Sequence, residues 1–359
     1  MDDLYDLGAV VEPLCLWYEE NKRSMPWRDA PSPYHVWLSE IMLQQTRIEA
    51  AKAYYERFIK RLPDVKALAQ VPEEELLKLW EGLGYYNRAR NLQKAAKVIV
   101  ERYEGRIPAD YDLLLNLPGI GSYTAGAIAS IAYGIAASAV DGNVLRVTMR
   151  YLGSEDDISK MSVRKKMERS ILTVIPKDKP GEFNQAVMEL GEVICIPNGM
   201  PLCEECPLAD GCQAKREGKQ TELPVKPEKK RRRIEKRTLL ILEWEGQIGI
   251  ARRKPTGLLA GLWEFPSMEG HLSLKDIEQF LNKNGISGTK IERMKSGKHI
   301  FSHVEWHMRG YHIVLSPDQV PEDKTQDIVP DVIWTEKEEL EKTYAIPVAF
   351  HSFLRQIIR

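Results

Sequence analysis

The chain has 359 residues, 43% of them apolar, with 51 basic residues against 52 acidic. At about 150 residues per domain this length suits two to three domains with ample core, which excludes a disordered tail or a peptide scaffold. No apolar run approaches the roughly 18 residues of a spanning helix, and the acidic start Met1-Asp2-Asp3 is unlike a secretory signal, so a cytoplasmic protein without membrane association is expected.

Residues 1 to about 215 read as helical. Apolar positions recur at three- and four-residue spacing over Tyr34 to Leu43, Ala50 to Phe58, Glu75 to Trp80 and Leu92 to Val100. Pro63, Pro72, the Gly82-Leu83-Gly84 run and Gly105 punctuate them. This half is expected to be one all-α domain over residues 1–218. Residues 219–237 read as an exposed basic linker, because they hold Pro224 and Pro227 and almost no apolar side chains. Net charge taken whole, at −1, argues against a nucleic-acid partner, yet Lys226 to Arg237 gathers eight basic residues against two glutamates.

The texture changes beyond the linker. Thr238 to Trp244, a Glu245-Gly246 turn and Gln247 to Ala251 predict a β-hairpin. Ser273 with Asp276 predicts a capping box, with Gly285 as the helix stop, and Thr335 with Glu338 predicts a second box. Residues 299 to 315 alternate as a strand. Residues 238–359 are therefore expected to form a smaller α+β domain. His299, His303 and His307 recur every four residues, but that alternation favours a strand with one polar face over a metal site.

Two motifs carry chemistry. Leu117-Pro118-Gly119-Ile120-Gly121 lies between helical stretches, where glycines permit close backbone approach and the next helix offers free N–H groups. A helix–helix turn needs the same glycines, but the following Ser122 to Tyr133 stretch is rich in Ala, Gly and Ser. The combination is similar to a helix-hairpin-helix element that grips one DNA strand without reading sequence. Four of five cysteines, Cys195, Cys203, Cys206 and Cys212, are spaced C-x7-C-x2-C-x5-C. Four thiolates on a proline-punctuated loop suit zinc or an iron–sulfur cluster alike. Cys15 sits in an apolar helix and reads as packing.

Together with Pro26-Trp27-Arg28, Val36 to Arg47, Trp80 to Tyr86, Leu117 to Gly126, Val140 to Arg146, Gly257 to Pro266 and Phe301-Ser302-His303, these motifs resemble the MutY family of adenine DNA glycosylases, in the endonuclease III superfamily. The matches run nearly end to end in one order. The resemblance implies a [4Fe-4S] cluster on the four cysteines, although the family's usual first gap is six residues and here it is seven; Asn198-Gly199 can absorb the difference in a turn. It implies hydrolysis of the N-glycosidic bond of adenine opposite 8-oxoguanine or guanine in double-stranded DNA, by a monomer located, in a bacterium, with the nucleoid.

The chemistry agrees with the resemblance. Adenine must leave the stack and be protonated to depart. Glu40, among Trp37, Leu38, Ile41 and Met42, is placed where burial raises a carboxyl pKa, and its implied role is that acid; alone, it would read as an exposed helix glutamate. Asp141 is assigned oxocarbenium stabilisation in the two-carboxylate manner of retaining glycosidases, and equally reads as a helix N-cap, with Asn143 supporting it by hydrogen bonding. Tyr123 stands where bifunctional relatives carry a Schiff-base lysine, so a monofunctional enzyme is expected. Gln45 and Tyr85, with Thr46 in the same motif, are implied to enter the helix beside the oxidised guanine. Arg28 and Gln185 are implied to line the adenine pocket between Trp27 and Leu43. Leu117, Gly119 and Gly121 would hold the backbone, the basic linker would face phosphates, and Phe301, Ser302 and His303 would read the lesion within a Nudix-like domain. Ser267 to Gly270 replaces the glutamate-rich Mg²⁺ helix of true Nudix hydrolases, so pyrophosphohydrolase activity is not expected. A bifunctional lyase and a catalytically silent mismatch binder are the competing readings.

Overall fold

The computed structural model describes residues 4–29, 31–228, 231–284, 290–316 and 332–358. The chain divides into two compact units, Met1–Val71 with Arg90–Glu228, and Pro72–Ala89 with Lys229–Arg359.

The described part of residues 4–228 is helical: α1 (Val11–Asn21), α2 (Pro26–Asp29), α3 (Pro33–Leu43), α4 (Ile48–Arg61), α5 (Val65–Gln70), α6 (Glu73–Leu79), α7 (Asn87–Tyr103), α8 (Tyr111–Leu115), α9 (Ser122–Ala127), α10 (Gly142–Leu152), α11 (Met161–Val174), α12 (Pro180–Val193) and α13 (Gln213–Glu217). Caps set several starts. Ser32 accepts from the His35 N–H before α3, and Asp64 and Asp110 do the same for α5 and α8. One core of the first unit joins α1, α10, α11 and α12 through Leu14, Tyr18, Val144, Met167, Phe183 and Leu190, each at most 3% exposed. Cys15 packs there, as its apolar neighbours suggest.

The stretch expected as one helix over Ser122 to Tyr133 changes type. It is α-helical to Ala127 and then widens into a π turn over Ile128–Ala132. The crowding explains the change. A Cβ on Gly126 would lie 1.9 Å from the Ser138 carbonyl oxygen, and one on Gly181 of α12 would lie 2.6 Å from that of Ser130. Asn184 then donates to Ser130 Oγ and the Ala137 carbonyl, both at 2.8 Å, so the widened turn is held by side-chain bonds.

In the second unit a mixed sheet runs in the order β3 (Trp263–Glu264), β2 (Gln247–Arg252), β1 (Arg233–Trp244), β7 (Val304–Val314), β5 (Lys290–Arg293), with β4 (Ser267–Glu269) on β1, β6 (Gly297–Ile300) on β7 and β8 (Val332–Thr335) on β2. β1 and β7 are parallel from Arg233↔Val304 to Glu243↔Val314. Alternate residues of β1 feed opposite faces. Leu239 and Ile241 meet Trp306, Phe350 and Phe353, while Leu240 and Leu242 meet Ile313 and α14 (Leu274–Lys283) through Ile277 and Leu281. The Glu245-Gly246 turn has both φ values positive, 48° and 85°, as a two-residue type I′ hairpin requires.

Three expectations need correction or placement. The basic segment is not a linker up to Arg237, because β1 begins at Arg233 and its first residues find ladder partners in Val304 to Met308. The Ser273–Asp276 capping box forms. The Thr335–Glu338 box does not, since Thr335 is the last paired residue of β8, opposite Ile248, and the helix Lys337–Lys342 is capped at Glu336 instead. Gly285 lies outside the described residues.

Candidate active site

Three elements of the first unit bring the two candidate carboxylates together. α3 carries Glu40, 8% exposed, on its buried face. The hairpin before α9 sets Tyr123 one residue into that helix. Asp141 caps α10, its Oδ1 accepting the Val144 N–H at 2.7 Å, so the capping reading of this residue holds while it also lines the cleft.

The Tyr123 hydroxyl donates to Glu40 Oε2. Burial pushes the Glu40 carboxyl up to about 7, the Tyr123 bond and Arg28 opposing and the Asp141 charge adding to the rise. Burial and the Glu40 charge hold the Tyr123 hydroxyl well above its ordinary range, so it stays a donor. Asp141 is also raised by burial, but the N–H groups of Val144 and Asn143 and the guanidiniums of Arg146 and Arg164 pull against that. Two neighbouring carboxyl groups thus meet different environments, one poised to hold a proton and one supplied with donors for the anion.

Asn143 supports Asp141 through its backbone N–H rather than its side chain. Its Oδ1 instead accepts from Arg146 Nη2 at 2.7 Å, and Arg146 also donates to the carbonyls of Gly191 and Cys195. Sequence reasoning missed this buried arginine.

The cleft has a volume of about 630 Å³. It is lined by Trp27, Arg28, Glu40, Leu43, Gln45 and Thr46, and further by Tyr123, Asp141, Asn143 and Gln185. Trp27 is fixed edge-on to Tyr55, ring centroids 5.2 Å apart. Arg28 donates to Glu189 Oε2 at 2.8 Å, and Glu189, whose side chain is 2% exposed, also receives Arg23. Although burial works to raise it, the two arginines hold the Glu189 carboxyl below the usual range. Glu189 was not singled out from sequence. The signal was present, since Gln185, Met188, Glu189 and Glu192 line the cleft at helical spacing along the largely apolar α12.

The hairpin glycines have separate reasons. Gly119 has φ +76°, and a Cβ there would lie 2.5 Å from Asn91 Cβ in α7. Gly121 is the N-cap of α9 with open space where a Cβ would go, and Leu117 is buried beneath the turn.

Tyr85, Phe301, Ser302 and His303 belong to the second unit, and there Tyr85 Oη meets Ser302 Oγ at 2.5 Å. Phe301 stands edge-on between His299 and Trp306, at 4.6 and 4.8 Å. The His303 carbonyl accepts the Arg233 N–H, and Arg232 Nε donates to the Phe301 carbonyl. Part of the basic segment therefore braces this loop. The single strand expected over these histidines is broken into two: His299 lies on β6 and His307 on β7, His303 sits in the bend between them, and His307 pairs with Glu305.

Cys195, Cys203, Cys206 and Cys212 line one small cavity with Arg150, Pro201 and Ala209. Arg150 Nη1 reaches Cys195 Sγ at 3.3 Å, and the first gap is closed at its base by the Leu202 N–H on the Ile194 carbonyl. Gly199 takes φ +79° in that loop. Burial pushes the Cys206 thiol up to about 12, and the other three sulfurs add to the rise. Among the described residues no three His, Cys, Asp or Glu side chains converge tightly enough for a single metal ion.

Comparison with known proteins gives the class first. Residues 38–172 match the HhH-GPD superfamily base excision DNA repair protein model, and residues 237–356 match the NUDIX domain model. Over 58% of the chain the structure resembles a thermostable thymine-DNA glycosylase (29% identity, TM-score 0.53, 96% of that chain). It likewise resembles endonuclease III trapped as a covalent intermediate on DNA (25% identity, TM-score 0.51, 58% of this chain and 94% of that one). The chain is 32% identical to adenine DNA glycosylase of Homo sapiens over 98% of its own length and 74% of that protein. It is 35% identical to the enzyme of Buchnera aphidicola from Schizaphis graminum over 81% of this chain and 84% of that one. The chain belongs to the adenine DNA glycosylase family.

Proposed function

We propose that the protein removes adenine mispaired with 8-oxoguanine or guanine from double-stranded DNA by a monofunctional hydrolysis that leaves an abasic site. The observation that carries this reading is the Glu40–Tyr123–Asp141 cluster in one cleft. The flipped adenine enters between Trp27 and Leu43. Glu40, a carboxylic acid at neutral pH, protonates the ring and makes adenine a leaving group. Asp141, anionic, faces the positive charge that develops at the sugar, and water completes the hydrolysis on the retaining, two-carboxylate plan. Tyr123 fixes the Glu40 carboxyl by its hydrogen bond and has no amine for a Schiff base, so strand cleavage does not follow. Tyr85 and Ser302, hydrogen-bonded to each other, meet the base opposite the adenine. One chain supplies every group, so a monomer suffices.

The four cysteines fit an iron–sulfur cluster. They line one small cavity together, and four soft thiolates are the donor set that a [4Fe-4S] cluster uses. The cluster would supply a cross-link tying the chain just after α12, the turn at Cys203–Glu205 and the start of α13 together. The seventh residue of the first gap is accommodated by the loop closed at Ile194 and Leu202.

A single-turnover assay on a duplex with one adenine opposite 8-oxoguanine, developed with and without hot alkali, tests the reading. Scission only after alkali is expected. Scission without alkali overturns the role given to Tyr123, and tight binding without product in either arm overturns the enzymatic reading.

A further inference from the structure

A second cavity of about 500 Å³ lies in the first unit behind the catalytic cleft. This size is inside the roughly 300–1,000 Å³ common for small-molecule sites. The two cavities share Arg28, Ile131 and Gln185 as lining residues, so the wall between them is one layer of side chains. That wall is held unevenly. Arg28 is anchored on Glu189 and the Arg23 carbonyl, and its guanidinium lies over the Tyr18 ring. The Gln185 amide donates to the Gly181 carbonyl of its own helix at 3.2 Å, a long bond that a small rotation breaks.

The far side of the wall has the composition of a site for a flat heteroaromatic base. Tyr18 and Pro180 give apolar surface, and Asp178 and Glu182 bring carboxylate acceptors. Arg23 lines the same cavity with its guanidinium paired to Glu189, which adds a fixed positive charge at its wall.

Resting on the adenine-excising reading above, we propose that this second cavity receives the freed purine base. During turnover the DNA strand occupies the mouth of the catalytic cleft, and a base cut from its sugar has no path back past the abasic product. Rotation of Gln185 opens the wall, and adenine passes into the second cavity and leaves while DNA stays bound. The cavity thus separates release of the base from release of the DNA.

The test uses the full chain saturated with a duplex holding an abasic-site analogue opposite 8-oxoguanine, titrated with radiolabelled adenine by equilibrium dialysis to millimolar concentration. Two variants narrow the cavity from residues that do not line the catalytic cleft. Ser24→Trp adds bulk at an exposed position, and Gly134→Asn adds a side chain that tolerates the φ of +65° where the Cβ space is open. The expected result is adenine binding by the parent–DNA complex, weakened about tenfold in both variants, with melting temperatures unchanged. The rate of alkali-developed scission should stay within about twofold of the parent. Equal binding in parent and variants would place the adenine in the catalytic cleft and overturn the inference, as would no binding to the DNA complex. The scission assay on the same preparations separates the outcomes, because an inactive parent sinks the adenine-excising reading itself.

Discussion

Glu40 carries a proton-dependent activity and a proton-dependent stability, and both favour the protonated side of its titration. Its carboxyl is raised to about 7 by burial, so it serves as an acid only while protonated. The single-turnover rate is expected to fall about tenfold per pH unit above 7, which a pH–rate profile on the 8-oxoguanine duplex checks. The stability sign follows from the same shift. A group raised in the folded state contributes stability that is complete below its unfolded value near 4.5 and is lost as pH rises to about 7. Glu40→Gln keeps an oxygen to accept from Tyr123 but has no proton to give. Its rate should drop by about 10²–10⁴, while thermal melts at pH 8 should show it more stable than the parent by up to about 3 kcal/mol. Melts at pH 4.5 should nearly coincide.

Asp141 was ambiguous in sequence for a physical reason: one carboxylate both caps α10 and lines the cleft. Asp141→Asn separates the roles. Asparagine caps a helix as well as aspartate does, so urea midpoints should match the parent. Loss of the anion should cost at least about 100-fold in rate, or about 2.7 kcal/mol of transition-state stabilisation. A matching loss of stability would mean that the cap was its main task.

Among the elements, the glycines around α9 offer the clearest contrast. Gly126→Ala puts a Cβ onto the Ser138 carbonyl, and backbone on both sides leaves little to yield. A loss of about 1–3 kcal/mol is expected by urea denaturation. Gly121→Ala meets nothing within 4 Å at an ordinary φ of −97°. Its stability should be retained, and any loss should appear in DNA affinity by filter binding, since the added methyl faces outward where backbone would approach phosphate. For the cysteine loop, deleting Asn198 restores the shorter gap within the loop that the Ile194–Leu202 bond closes. Visible absorbance of the purified variant should equal that of the parent.

What could be read along the chain at this scale followed local rules. Helical spacing gave α3, α4 and α7 to within a few residues, and the Ser273–Asp276 box formed because both partners lie within one turn. The misses depend on partners distant in sequence. The basic run from Arg233 has no strand signature of its own and becomes β1 because Val304 to Met308 offers a ladder. Thr335 has the residues of a capping box but is claimed first by β2. The π turn at Ile128 answers to Ser138 and α12, not to its own residues. Asp141, Tyr123 and Glu40 were legible as a site because the motifs around them are contiguous. Arg146 and Glu189 were not, because their meaning is a contact with another segment.

For the whole molecule, β1 and β7 are parallel neighbours although Arg233 and Val304 stand some 70 residues apart. A parallel pair cannot be closed by a short turn, so everything between must exist before the ladder forms. During synthesis at about 5–20 residues per second, the first strand of this sheet therefore waits several seconds for its partner to leave the ribosome. Pro72–Ala89, the sequence-early piece of the same unit, waits longer still. The helices that carry Glu40, Tyr123 and Asp141 face no such delay, since all three belong to the unit whose last residue is Glu228. The catalytic half of the enzyme is therefore complete on the nascent chain before the half holding Tyr85 and Ser302 can begin to assemble.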